Sequence, residues 1–301
     1  MNKENIVAVR VWGDFACFTR PEMKVERVSY PLPTPSAARG ILEAIYWEPQ
    51  MYYIIDSIYV VKKGRWINFR RNEVNKVINL NEASKWMNGT KPINYIDASN
   101  VERKTKTREQ RNMLALADVE YIITAEVRTS KLYNPKYDDK GKYLREIKDR
   151  TVKGKCHFRP AFGCREFAAD FDFVEPDAIK DVLVKRSLDI RGNKDWELAW
   201  QEQEEDLGLM LYDVFDEEKR EEGFRWFRDD ELADVRKKRE TAIASLPKKE
   251  QKAALKESIV EYEGTAITPM ASFFHAKING SVMDCHPERV KMVKAQMKEG
   301  N

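Results

Sequence analysis

The order of strands and helices in the first 175 residues constrains the fold of this chain more than any other feature. Residues 6–12 alternate in the manner of a strand. A helix is predicted over 35–47, because Thr34 suits the N-cap and Pro35 the first helical position. Residues 51–61 are nearly all apolar, which indicates a second, deeply buried strand.

Three further elements complete the pattern. Residues 118–128 predict a third strand, 142–153 a second helix, and 157–173 contain a fourth strand. The resulting β-α-β-β-α-β order is that of ferredoxin-like and RRM-like α+β folds. Two helices cover one face of the sheet in such a fold, and we expect the opposite face to be open to nucleic acid.

The second half of the chain has a different character. Asn279-Gly280 is a hairpin turn signal between two short strand-like runs, and another strand is predicted near 207–215. A charged helical insertion occupies about 216–262. We therefore expect an RRM-like domain over 1–175 and a smaller antiparallel β-sheet domain over 176–301.

Charge is unevenly distributed, although the formal net charge is only +3. Residues 62–111 form a long basic insertion with about 13 Lys or Arg against about 5 acids, and they also carry scattered aromatic side chains. Residues 195–222 reverse the balance, with about 12 acids against 2 bases. The basic stretch is a candidate for a polyanion and the acidic one for a protein contact, while a solvated face explains either equally well.

The remaining composition narrows the class of protein. The four cysteines form no CxxC pair, and the Cys-His neighbours at 156–157 and 285–286 lack the ligand spacing of a zinc site, so no metal or other cofactor is expected. HExxH, GxSxG and phosphate-loop motifs are absent. No signal-peptide core or membrane-length apolar run is present, and we expect a cytoplasmic protein.

Three positions attract attention from the residues alone. Tyr46 ends the first predicted helix on the side away from its apolar stripe, as a rim tyrosine also would. Lys142 opens the second helix, where the helix dipole does not favour a cation, so it serves either solubility or an anion. Gly163 interrupts an apolar stretch, which permits a bulge or the close approach of a phosphate or a strand backbone.

Four segments in order resemble one family. They are VWGDFACFTRPEMKVERVSYPLPTPSAARGILEAIYWEP, GKYLREIKDRTVKGKCHFRPAFGCREF, DLGLMLYDVF and FFHAKINGSVMDCHP. Together they span about residues 6–287, and the first two are the more specific. The chain resembles the CRISPR-associated RAMP proteins of subtype I-C (Dvulg), the Cas-five family of the d subtype.

The resemblance implies a metal-independent endoribonuclease that cuts CRISPR precursor RNA within each repeat. It also implies that the protein retains the 5′ handle and joins the type I-C interference complex, Cascade. The family's cleaving residues are a tyrosine on the first helix and a Lys-His pair opening the second. Tyr46 and Lys142 match, whereas Tyr143 occupies the histidine position.

RNA binding is expected to rest on arginine and lysine contacts to phosphate and on aromatic stacking. The candidate RNA-binding residues are Arg39, Arg65, Trp66, Arg70, Arg71, Lys104, Lys106, Arg108, Arg111, His157 and Arg165. The expected partners are CRISPR repeat RNA and mature crRNA, the backbone and large subunits of the complex, target DNA only indirectly, and no membrane.

Two alternatives stay open at this stage. One is a catalytically inactive subunit that binds the 5′ handle and scaffolds the same complex, because Tyr143 departs from the family pattern. The other is an unrelated ferredoxin-like protein with a small-molecule ligand, which an enclosed apolar pocket would favour.

Overall fold

The computed structural model describes residues 5–74, 79–93, 108–191, 204–214, 217–227, 229–255, 262–264 and 271–294. The elements of the first half are β1 (Ile6–Ala16), β2 (Arg27–Val28), α1 (Pro35–Ile45), β3 (Met51–Lys62), β4 (Arg65–Val74), α2 (Leu80–Met87), β5 (Arg108–Thr129), α3 (Lys140–Val152) and β6 (Asp170–Val174). Those of the second half are α4 (Ile179–Arg191), β7 (Glu204–Asp213), α5 (Glu217–Glu222), β8 (Phe224–Trp226), α6 (Asp229–Ala244), α7 (Lys248–Ala254), β9 (Tyr262–Gly264), β10 (Ser272–Asn279), β11 (Val282–Asp284) and β12 (Met292–Lys294).

The centre of the molecule is a mixed α+β unit built on a large antiparallel sheet, as expected. The strands β6, β1, β5 and β3 lie side by side in that order, and every neighbouring pair is antiparallel. The apolar stripe of α1 and the Ile147 side of α3 pack on one face of this sheet, against the alternating valines of β1. Helix α1 begins as predicted, with the Thr34 hydroxyl accepting a hydrogen bond from Ala37 N at 3.0 Å.

The basic insertion is a long two-stranded ribbon in its described part. Strand β4 pairs with the first half of β5 over ten residues on each side. The third strand is therefore longer than predicted and begins at Arg108 rather than at 118. Side chains alternate along the ribbon, so that one of its faces is exposed and the other is partly covered. Lys104 and Lys106 lie outside the described residues.

The expectation of an open second sheet face is wrong at its centre, because helix α4 covers it. Ile179 and Leu183 of α4 pack with Ala8, Ile122 and Val174 of the sheet. Glu120 on the same face is 1% exposed. It accepts hydrogen bonds from Arg10 and from Arg186 of α4, at 2.7 and 2.8 Å. An apolar contact and a paired buried charge together hold the helix where RNA was expected.

Strands β7, β10, β11 and β12 of the second half extend the same sheet, whereas β8 and β9 pair with each other in a separate two-stranded sheet. Strand β11 pairs with β3, β10 pairs with β7, β11 and β12, and ten strands result. The predicted hairpin turn is present, with Gly280 at φ 60° between β10 and β11. A shared sheet does not test whether either half folds alone, so the division into 1–175 and 176–301 stays a prediction.

Gly163 allows two backbone segments to meet. Its φ is 80°, and a Cβ built at this position would lie 2.0 Å from the carbonyl oxygen of Cys17. Cys17 N in turn donates to Phe162 O at 2.9 Å. Of the two close approaches considered from the sequence, the structure shows that of a strand backbone, which holds the 160–168 loop against the end of β1.

Candidate active site

A carboxylate joins the two side chains that the sequence singled out first. Tyr46 Oη donates to Glu48 Oε1 at 2.8 Å, and Lys142 Nζ donates to Glu48 Oε1 and Oε2 at 2.8 and 3.0 Å. The sequence predicts Tyr46 inside the last turn of the helix. In the structure it is instead the C-cap of α1, and its backbone is extended. Because Lys142 lies in the first turn of α3, the end of one helix meets the start of the other at this glutamate.

The environment of Tyr46 keeps its hydroxyl protonated. The side chain is buried, and this burial, followed by the hydrogen bond to Glu48 and the nearby carboxylates, raises the pKa of Tyr46 far above its usual value. Lys142 pairs with Glu48, and the pKa of Tyr46 is raised rather than lowered. Tyr46 can donate a hydrogen bond at neutral pH but cannot accept a proton.

Tyr143, in the position of the family histidine, points into the core. It is 1% exposed, and its ring meets that of Tyr133 edge-on at 6.4 Å. Burial, and then the charge of Asp138, raises the pKa of Tyr143 to about 12. Its hydroxyl has no hydrogen-bond partner among the described residues. A ring buried in this place cannot stack on a base of bound RNA.

Arg150 and His157 complete the cluster of Tyr46, Glu48 and Lys142. The guanidinium of Arg150 lies over the Tyr46 ring at 5.1 Å. His157 is exposed, and its backbone N–H donates to Ala44 O at 2.9 Å and to Ile45 O at 3.3 Å. The sequence analysis identified neither Glu48 nor Arg150. Arg150 follows Tyr143 by two helical turns and therefore lies on the same side of α3, which could have indicated it as a site residue. Glu48 carried no such signal, because its contact with Lys142 joins residues that are far apart in the chain.

Arg39 has a structural role rather than the predicted contact with RNA. It is 8% exposed, and its Nε and Nη2 donate to Asp213 Oδ2 and Oδ1 at 3.1 and 3.2 Å. Its Nη1 also donates to Glu43 at 2.6 Å, and Arg220 forms a second ion pair with Asp213. The guanidinium is thus turned inwards and joins α1 to the end of β7.

The predicted RNA-binding residues of the ribbon separate onto its two faces. Trp66, Arg70 and Arg108 lie on the exposed face, which Asn and Gln side chains complete, and Arg65 is exposed at the base of the ribbon. Arg71 and Arg111 lie on the opposite face. Each pairs there with a glutamate two residues away, and Arg71 Nη1 also contacts Glu166 Oε1 at 3.1 Å. Within the paired residues 65–74 and 108–117, the first face carries no acidic side chain, whereas the second carries Glu73 and Glu109.

The loop that carries Arg165 packs against this ribbon. The Phe167 ring lies 5.8 Å from that of Phe69 and 5.7 Å from that of Phe15. Arg165 is exposed beside it. Phe69, another aromatic side chain of the basic stretch, is partly buried against Phe15 and Phe167. The structure therefore brings Arg165 to the ribbon and leaves Trp66 as the exposed aromatic side chain there.

Two general features of the described residues bear on the kind of protein. Within them, His, Cys, Asp and Glu side chains do not gather in any group of three that could hold a metal ion. No helix among them combines the length and the apolar composition needed to cross a membrane.

Comparison with known proteins identifies the class and then the family. A model of the CRISPR-associated protein family Cas5, d subtype, matches residues 6–280. The CRISPR pre-crRNA endoribonuclease Cas5d of Mannheimia succiniciproducens is 40% identical over 211 residues, which are 70% of this chain and 85% of that protein. The protein of the same name from Thermus thermophilus is 43% identical over 164 residues, or 54% and 62% of the two chains.

A solved structure shares the fold. The functionally uncharacterized protein SMU1763c from Streptococcus mutans aligns with a TM-score of 0.50 and 15% sequence identity over 97% of both chains. The class is thus that of the CRISPR-associated proteins. Within it, the chain belongs to the Cas5d family of endoribonucleases.

Proposed function

We propose that this chain cuts CRISPR precursor RNA within its repeat, without a metal ion, by attack of a ribose 2′-hydroxyl on the adjacent phosphorus. The products are a cyclic 2′,3′-phosphate and a 5′-hydroxyl. The observation that carries this proposal is the contact of Tyr46 and Lys142 with one carboxylate at the junction of α1 and α3. The named activity of the relatives in Mannheimia and Thermus supports the choice of substrate.

Each cation and hydrogen-bond donor of the cluster has a role in this reaction. Negative charge gathers on the phosphorane, and Lys142, with its side chain 48% exposed, is available to stabilise it once a phosphate enters. Arg150 offers a second cation, a guanidinium, beside the Tyr46 ring. Tyr46 donates a hydrogen bond that orients its partner. Tyr143 shapes the core beneath the site rather than contacting the RNA.

The proposed RNA path uses the ferredoxin-like core and its ribbon. Arg65, Arg70, Arg108 and Arg165 contact phosphates, and Trp66 stacks on an unpaired base. The covered second sheet face takes no part. After cleavage the chain retains the 5′ handle as a subunit of the type I-C interference complex, in contact with the backbone and large subunits, and it meets target DNA only through that complex.

A catalytically inactive subunit that binds the 5′ handle is the second candidate function. The observation that favours it is the burial of Tyr143 where the family has a histidine. This chain would then hold the same RNA, while another protein would cut it.

Cleavage of the cognate repeat hairpin in EDTA tests the proposal. The parent protein should cut an all-ribose substrate and leave one with a 2′-deoxy residue at the cut site intact. Tyr46→Phe should slow the cut by about 10²-fold, since it removes one positioned donor. Tyr137→Phe is the matched control, because Tyr137 is 76% exposed in the loop before α3. Tight binding without cutting by the parent would establish the second candidate instead.

A further inference from the structure

The cluster around Tyr46 needs a proton acceptor and a proton donor that the tyrosines cannot supply. In-line attack of the 2′-oxygen requires a base for its proton and an acid for the departing 5′-oxygen. Burial raises the pKa of both Tyr46 and Tyr143, so neither ionises near neutral pH. Lys142 and Arg150 act as cations. Two groups of the cluster remain, the carboxylate of Glu48 and the imidazole of His157.

Glu48 is placed to accept a proton. Tyr46 and Lys142 fix its carboxylate from two directions, and the side chain is 29% exposed, so a ribose hydroxyl can reach it. An ionised carboxylate accepts hydrogen bonds through both oxygens and keeps acceptor capacity after these two contacts. The hydrogen bonds therefore orient the base without using all its lone pairs.

The backbone of His157 lies at the main-chain end of Tyr46. Its backbone N–H is bonded to the last carbonyls of α1, immediately before Tyr46, whereas Glu48 contacts the Tyr46 hydroxyl. The Tyr46 side chain thus runs from the His157 backbone towards the Glu48 carboxylate, with Arg150 over its ring. The His157 side chain is exposed beside this end of α1, so a departing 5′-oxygen can reach it. Imidazole is also the side chain that most readily gives up a proton at neutral pH.

We infer that Glu48 is the general base and His157 the general acid of the cleavage, an inference that rests on the proposed function. Glu48 takes the proton of the 2′-hydroxyl as the 2′-oxygen bonds to phosphorus. The bond between phosphorus and the 5′-oxygen then breaks, and His157 gives its proton to that oxygen. The step leaves Glu48 protonated and His157 neutral, and one proton returns from the first to the second through water.

A substrate with sulfur in place of the bridging 5′-oxygen separates the two roles, because a thiolate leaves without an acid. Cleavage under single-turnover conditions with saturating protein reports the chemical step. His157→Ala should lose about 10²-fold or more on ordinary RNA and come within a few-fold of the parent on the sulfur substrate. Glu48→Gln should lose about 10²-fold or more on both.

Matched controls exclude indirect effects. His275→Ala removes another exposed histidine, on β10, and Glu175→Gln removes another glutamate paired with a lysine of α3, and both should cut at the parental rate. The thermal midpoint and the RNA affinity of each variant show that it is folded and binds.

The possible results bear separately on the acid, the base and the proposed function. Equal losses of His157→Ala on both substrates would overturn its role as the acid. Faster cleavage by Glu48→Gln would overturn the role of Glu48 as the general base. It would mean instead that Glu48 competes with the phosphate of the RNA for Lys142. No cut of either substrate by the parent would overturn the proposed function together with this inference, whereas a cutting parent with the wrong variant pattern would overturn the inference alone.

Discussion

Replacing Arg39 by methionine distinguishes a structural arginine from one that contacts RNA. Methionine keeps the unbranched, apolar stem of the side chain but removes the two hydrogen bonds to Asp213, which is 3% exposed. Losing one partner of a buried ion pair costs about 3–5 kcal/mol. Arg220 remains on Asp213, so we expect a loss near the lower figure, about 3 kcal/mol.

This loss translates into a measurable shift of the thermal midpoint. An unfolding entropy of about 2.1 cal/mol/K per residue gives about 0.6 kcal/mol/K for 301 residues, so about 3 kcal/mol lowers Tm by about 5 °C. Differential scanning calorimetry measures the shift. Fluorescence anisotropy with the repeat hairpin, at a temperature where the variant is folded, should give the parental affinity.

Arg70→Met is the matched comparison on the exposed face of the ribbon. Its Tm should stay within about 1 °C of the parent, because exposed substitutions rarely change stability by more than about 0.5 kcal/mol. Its affinity for RNA should fall, and the slope of log affinity against log salt should weaken by about 0.7 for one lost phosphate contact. The opposite pattern, with an unchanged Tm and weakened RNA binding for Arg39→Met, would refute the assignment of Arg39 to the core.

Two other expectations concern stability. Gly163→Ala forces a Cβ onto the Cys17 carbonyl at a positive φ and should lower Tm by several degrees. Gly40→Ala, in an open helical position, should be neutral or stabilising by about 1 kcal/mol. Equal thermal midpoints of the two variants would contradict this expectation. Burial alone would raise the pKa of Glu120, but Arg186 and Arg10 lower it overall. The stabilisation that ionised Glu120 contributes is therefore present above the unfolded pKa of about 4.3 and is lost as the pH falls below it. The difference in Tm between the parent and Glu120→Gln, about 5 °C at pH 7, should accordingly shrink in acid.

Much of the fold could be predicted from local patterns. Strand alternation, the Thr34-Pro35 start of α1 and the Asn279-Gly280 turn are set by residues near each other in the chain, and the structure confirms each of them. The covering of the second sheet face by α4 could not be predicted. It depends on Leu183 meeting strands far away in sequence and on the pairing of Glu120 with Arg186.

The candidate site divides in the same way. Local sequence patterns place Tyr46 and Lys142 at a helix end and a helix start, since helical periodicity and capping depend on neighbouring residues. The position of Glu48 between them, the burial of Tyr143 and the pairing of Arg39 with Asp213 become visible only in the folded chain. Ion pairs across the fold depend on which surfaces pack together, and a pattern read along one chain carries no record of that packing.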